Sequence, residues 1–194
     1  MALIACNNPR FFDKCARVEW FAPTSNFGES AKFPPDVYMD TGAVITLTMI
    51  PAGPMQSISV STCGPQPAER CNVQAGTSLL LADNNTTGAP ISLRFHGAGV
   101  RAVGAFVVAP HVAFGTDFAP HLWALGDAGG PSLHVPGPQG LTGDIWTQLG
   151  DQVAPFVGVR ATGGERITVV QFDAVHPGAF DFALFGISTL YCVV

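Results

Sequence analysis

Hydrophobic and polar residues alternate one by one along several short segments of the chain. In residues 43–50, AVITLTMI, Ile45, Leu47 and Met49 alternate with threonines, and residues 56–61, QSISVS, alternate in the same way. A period of two is typical of β-strands, which direct successive side chains to opposite faces of a sheet. Because a turn rich in Pro and Gly separates the two segments, we predict that they form a hairpin with one solvent-facing side.

The same reading predicts further strands along the rest of the chain. Residues 100–109, VRAVGAFVVA, are nearly all apolar, which is typical of a central strand covered on both faces. Other strands are predicted at 78–82, 91–97, 121–126, 155–161, 166–174 and 180–194. The total is about ten short strands, with no helix of three turns, a pattern typical of sandwiches and barrels.

We therefore predict a single all-β domain over residues 1–194, an antiparallel β-sandwich that is jelly-roll-like and has long loops. A barrel uses the same alternation, so that alternative stays open. The first 16 residues are predicted to be irregular, apart from one or two helical turns capped by Asn8 and begun by Pro9. Residues 110–151 have the least regular pattern.

Composition and charge limit the classes of partner. The 22 glycines and 16 prolines recur along the whole length and indicate frequent turns. The net charge is −5 and no basic cluster occurs, which argues against nucleic-acid binding. The longest apolar stretch, near residues 102–110, is much shorter than a membrane-spanning helix needs, so we predict no membrane insertion.

The spacing of the cysteines indicates the redox state of the cellular compartment in which the protein resides. Cys6 and Cys15 flank one short segment, and Cys63 and Cys71 flank another, which suits two local disulfides. Cys192 is left over, and its pairing with Cys6 or Cys15 is an alternative, as is a set of reduced buried thiols. Disulfides indicate an oxidising compartment, so we predict a secreted or cell-surface protein, although the N-terminal segment lacks the features of a signal peptide.

The second half of the chain resembles the β-sandwich ectodomains of bacterial exported proteins, including those with PEP-CTERM sorting signals. The resemblance is carried in order by PISLRFHGAGVRAVGAFVV, PFVGVRATGGERITVVQFDA and FDFALFGISTL, and covers about half of the chain. These segments are also similar to carbohydrate-binding modules of the galactose-binding-like jelly-roll type. The resemblance implies a sandwich fold and export, and it brings no active site with it.

Motifs for catalysis are missing from the sequence. The nucleophile motif GxSxG is absent, and Ser188 lies within a predicted strand. The four glutamates are scattered and no paired-carboxylate motif occurs, which argues against glycoside hydrolysis. We therefore predict a protein that is not an enzyme.

Aromatic residues in the irregular region are the best candidates for a binding site. Sugar recognition commonly uses an aromatic ring as a stacking platform beside a few polar groups. Trp123, with His121 and Asp127 nearby, fits this requirement, and so does Trp146. Each tryptophan could instead cover the end of the sandwich as part of the core, and Trp20 is predicted to be a core residue.

Metal binding is considered for two classes of ion. Calcium prefers oxygen ligands, which Asp36 with Asp40, or Asp173 with Asp181, could supply, although the calcium-loop pattern is absent. The five histidines include no HxH, HExxH or i,i+4 pair, so the sequence offers no local transition-metal site. Apart from calcium, no cofactor is predicted.

Two functions of different classes follow. The first is a secreted, lectin-like module that binds carbohydrate through loops at one end of the sandwich. The second is a structural or adhesive surface protein that forms homo-oligomers or binds another protein, since its charged residues make up only 12% of the chain.

Overall fold

The computed structural model describes residues 2–13, 15–18, 20, 47–50, 57–62, 78–83, 90–109, 117–141, 154–175 and 184–194. These residues form strands and one short 3-10 helix, η1 (Pro9–Phe12). The strands are β1 (Leu3–Ala5), β2 (Ala16–Val18), β3 (Leu47–Ile50), β4 (Ser57–Thr62), β5 (Ser78–Asp83), β6 (Ile91–Phe95), β7 (Ala102–Val108), β8 (Asp117–Gly126), β9 (Leu133–Pro136), β10 (Gly140–Leu141), β11 (Phe156–Ala161), β12 (Ile167–Val175) and β13 (Leu184–Val193). Across these ranges, no helix is long and apolar enough to cross a membrane.

The strands form two antiparallel sheets. The first sheet has seven strands in the order β1-β11-β7-β13-β5-β4, with β2 also paired to β13. The second has six strands in the order β10-β8-β12-β6-β3, with β9 also paired to β8. This arrangement confirms the predicted all-β antiparallel sandwich.

The main core lies between the two sheets. Its largest fully buried side chains come from both sheets and include Leu80 and Phe185 from the first and Leu122 and Phe172 from the second. Trp20 packs in the same core, as predicted, and its indole Nε1–H donates to the carbonyl of Ser188 at 2.8 Å. Burial of large apolar side chains from both inner faces holds the two sheets together.

The central strand β7 is covered on both faces, which confirms the prediction made from its apolar sequence. Val103, Ala105 and Val107 point into the main core. On the other face, Phe106 contacts Phe156 and Tyr191, and with Phe12 these rings form a smaller aromatic cluster. The helix η1 therefore covers part of the outer face of the first sheet.

The helix η1 begins as the sequence predicts. Asn8 caps it, because its side-chain oxygen accepts a hydrogen bond from the N–H of Arg10 at 3.1 Å, and Pro9 occupies the first turn. A proline is favourable there because its missing N–H would have no partner within the helix. The helix places Phe12 with no exposed surface against the ring of Phe156, at a centroid distance of 5.4 Å.

The predicted hairpin of β3 and β4 is wrong. Strand β3 pairs with β6 in the second sheet, whereas β4 pairs with β5 in the first. Alternation shows which face of a strand is apolar but not which strand is its neighbour, because strands of two facing sheets share the same pattern. The chain passes from one sheet to the other between these two strands.

The predicted disulfide between Cys6 and Cys15 is not formed; both residues, like Cys192, are free thiols. The backbone of Cys6 is bound to Gly158 of β11, and Cys15 precedes Ala16, which pairs with Cys192 of β13. Strand β7 lies between β11 and β13. Cys6 thus lies beyond β11 and Cys15 beyond β13, four strand spacings or about 19 Å apart across the sheet, which is beyond the reach of a disulfide. The predicted pair of Cys63 and Cys71 lies outside the described residues.

Candidate binding surface on the second sheet

Strand β8 carries the candidate site on its outer face. Its burial alternates strictly from Asp117 to Ala124, so every second side chain belongs to the core. The inward residues are Phe118, Pro120, Leu122 and Ala124, and the outward ones are Ala119, His121, Trp123 and Leu125. His121 and Trp123 are therefore neighbours on one face of a sheet, in the middle of a strand and not in an end loop.

Strand β9 adds a third ring to this pair. His134 lies directly opposite Trp123 in the register of β8 and β9. Its imidazole stacks on the indole with a centroid distance of 4.7 Å and an interplanar angle of 18°. His121 contacts both rings edge to face, at 5.6 Å from Trp123 and 4.8 Å from His134. We call these three residues the ring cluster.

The ring cluster continues into a row of polar residues across the sheet. Gln171 of β12 lies opposite Trp123, and Ser92 of β6 lies opposite Gln171. The amide Nε2 of Gln171 donates to the hydroxyl of Ser92 at 3.1 Å. A second row places Asp173 opposite His121. Polar groups that accompany an aromatic ring in this way fit a site that recognises hydroxyl groups.

Burial increases along the row from the edge of the sheet toward its centre. His134 is exposed, Trp123, His121 and Gln171 are half-buried, and Ser92 is buried. The ring cluster thus lies at the accessible margin of this face. The inner polar groups, Gln171 and Ser92, are already bonded to each other within the sheet.

Asp127 lies apart from the ring cluster. It follows the last residue of β8, and its carboxylate accepts a hydrogen bond from the N–H of Arg166 at 3.1 Å. Its own N–H donates to the carbonyl of Arg166 at 2.8 Å. Four residues along a strand span about 13 Å, so Asp127 fixes the corner between β8 and β12 instead of facing Trp123. The other candidate, Trp146, lies outside the described residues.

The calcium candidates are only partly described. Asp173 is buried, and its carboxylate accepts a hydrogen bond from the N–H of Ala174 at 2.8 Å. Asp36, Asp40 and Asp181 lie outside the described residues. In the part of the chain that the structure describes, no group of three His, Cys, Asp or Glu side chains is placed to hold a metal ion.

The residue that sequence reasoning missed is His134. It belongs to a segment assigned as irregular, and no motif links it to Trp123. A weak signal exists, because Leu133 and Val135 alternate with His134 and Pro136 shortly after the glycine pair Gly129 and Gly130. That alternation would predict a short strand but not its pairing with β8.

Comparisons of the chain with protein-family models, with curated proteins and with solved structures found no match.

Proposed function

We propose that the protein is a non-catalytic carbohydrate-binding module whose site is the ring cluster on the outer face of the second sheet. The observation that carries this proposal is the stacking of His134 on Trp123, at 4.7 Å, beside the amide of Gln171. Sugar rings present apolar C–H faces and polar hydroxyls, so they are bound by an aromatic face next to hydrogen-bonding groups.

The position of His134 indicates which face of the Trp123 indole is available for a sugar ring to stack on. His134 comes from β9 and covers one face of Trp123. Since β8 lies between β9 and β12, the opposite face is directed toward β12, where Gln171 is the cross-strand neighbour. We therefore expect a sugar ring to stack on the β12 side of the indole and to hydrogen-bond with Gln171. This moves the expected site from the end loops to the sheet face.

The proposal is tested on a glycan array, followed by titration calorimetry with the best-bound glycan. We expect Trp123→Ala to lose binding, because the sugar ring then has no aromatic face to stack on, and Gln171→Ala to weaken it. Leu125→Ala is the matched control, because Leu125 is exposed on the same face of the same strand and lies outside the ring cluster. Equal binding by wild type and Trp123→Ala would overturn the proposed site.

A protein that binds no glycan and keeps an oligomeric size on dilution would favour the alternative, a self-assembling surface protein. Light scattering over a dilution series makes this measurement.

Secretion or surface display is part of the proposal. Because Cys6, Cys15 and Cys192 are free thiols, a disulfide that would indicate an oxidising compartment could form only between Cys63 and Cys71.

A further inference from the structure

Two histidines that are distant in sequence lie side by side on the outer face of the second sheet. The rings of His121 in β8 and His134 in β9 have a centroid distance of 4.8 Å and an interplanar angle of 69°. The sequence places no two histidines at a metal-binding spacing, and it is the pairing of β8 with β9 that brings these two together. Imidazole is a preferred ligand of zinc, copper and nickel.

The separation of the two ring centres is compatible with that of imidazoles bound to one ion. An imidazole nitrogen lies about 1.1 Å from the ring centre and binds zinc at about 2.0–2.1 Å, so the ion lies about 3.2 Å from each centre. Two such rings at a ligand angle of about 90–110° have centres about 4.5–5.2 Å apart. The observed 4.8 Å falls within this interval. Rings stacked face to face could not share an ion, whereas rings inclined at 69° can.

The surroundings restrict how both rings can move. The indole of Trp123 lies against His134 at an angle of 18° and contacts His121 as well. Asp173 of β12 is the residue directly opposite His121. Histidine ligands in metal sites usually donate their second ring N–H to a carboxylate or a carbonyl, which fixes the orientation of the ring. Asp173, on the strand beside His121, is the residue whose carboxylate would accept such a hydrogen bond.

We propose that His121 and His134 bind a divalent transition-metal ion such as Zn²⁺, with water or an external ligand at the remaining positions. The described residues supply no third ligand of the His, Cys, Asp or Glu type at this place, so they contribute two protein ligands to the ion. Hard cations such as Ca²⁺ and Mg²⁺ prefer oxygen ligands and are not expected here.

The test is calorimetric titration of the full chain with zinc chloride in the absence of any glycan. We expect one ion per chain, and His121→Gln and His134→Gln each to weaken binding by at least about tenfold, since losing even an indirect partner of a ligand costs that much. His96→Gln is the matched control, because His96 is an exposed histidine beside the same sheet that bonds to the hydroxyl of Thr48. Far-UV circular dichroism and melting curves establish that each variant is folded.

A second readout uses Trp123 as a reporter. Cu²⁺ bound to His134 would quench the fluorescence of the stacked indole, so quenching should decrease in Trp123→Phe and disappear in the double His121→Gln/His134→Gln variant. No zinc binding by wild type, or unchanged binding by both single variants, overturns the proposal. Because no sugar is present, failure of glycan binding and failure of zinc binding are separate results.

Discussion

At the scale of single residues, the aromatic cluster outside the first sheet depends on two glycines. Gly104 of β7 and Gly158 of β11 lie opposite each other, under the ring of Phe156. A Cβ at Gly104 would lie 2.5 Å from Cζ of Phe156 and 3.1 Å from the carbonyl oxygen of Val157. A methyl group therefore cannot be added without moving the ring or the strand.

We expect Gly104→Ala to lower the free energy of unfolding by about 1–3 kcal/mol, the usual cost of overpacking. Gly130→Ala is the control, because a Cβ there meets no atom within 4 Å. We expect its effect to stay within about 0.5 kcal/mol. Urea denaturation followed by fluorescence measures both. Equal stability of Gly104→Ala and wild type would show that Phe156 can rotate away from the glycine at no cost.

Cys192 is a buried thiol with a consequence for stability at alkaline pH. Burial in the core, and then the neighbouring Cys15 thiol, raise the pKa of Cys192 far above its ordinary value of about 8.5. Above that ordinary value, the unfolded chain releases the proton while the folded chain keeps it. The unfolded state then binds fewer protons, so the free energy of unfolding falls as the pH rises.

From about pH 8.5 upward, we expect this thiol to contribute a loss of about 1.4 kcal/mol per pH unit. Cys192→Ala removes that contribution, so its free energy of unfolding should fall less steeply than that of wild type between about pH 8.5 and 10.5. Chemical denaturation under reducing conditions at several pH values gives both slopes. Parallel slopes would mean that Cys192 ionises within the folded protein.

At the scale of elements, alternation predicts strands well and their partners poorly. The predicted strands at β6, β7 and β12 are confirmed, and so is the helix capped by Asn8. Local sequence determines these features, since side-chain period and capping act within a few residues. The assignment of β3 and β4 to one hairpin is wrong because pairing depends on burial against the rest of the molecule.

The candidate site shows the same limit. His121 and Trp123 were predictable because they share one face of one strand, two residues apart. His134 was not, because it joins them only through the register of β8 with β9. Asp127 was assigned to the same site as Trp123 because the two are close in sequence. Along a strand, however, each residue adds about 3.3 Å, so the two side chains lie far apart. Spatial neighbours from separate strands require the sheet topology.

At the scale of the whole molecule, β13 holds a central position in the first sheet. β13 lies between β7 and β5 and pairs with β2 as well, and it contributes Phe185, Ile187 and Leu190 to the main core. Among the strands that the structure describes, β1 is in contrast at the edge of its sheet and pairs with β11 alone. The two strands thus contribute unequally: β13 lies at the centre of the sheet, while β1 extends its margin.

We predict that a chain lacking residues 184–194 does not fold, because β7, β5 and β2 lose their common partner and the main core loses large buried side chains. Removing residues 1–5 instead leaves Asn7, whose side chain links β9 to β11 through Pro136 and Gly158, so that variant should fold with reduced stability. Near-UV circular dichroism and thermal melting distinguish these outcomes. A cooperative melt by the chain without residues 184–194 would show that β7 and β5 can pair directly, and that the position of β13 is not required for the sandwich.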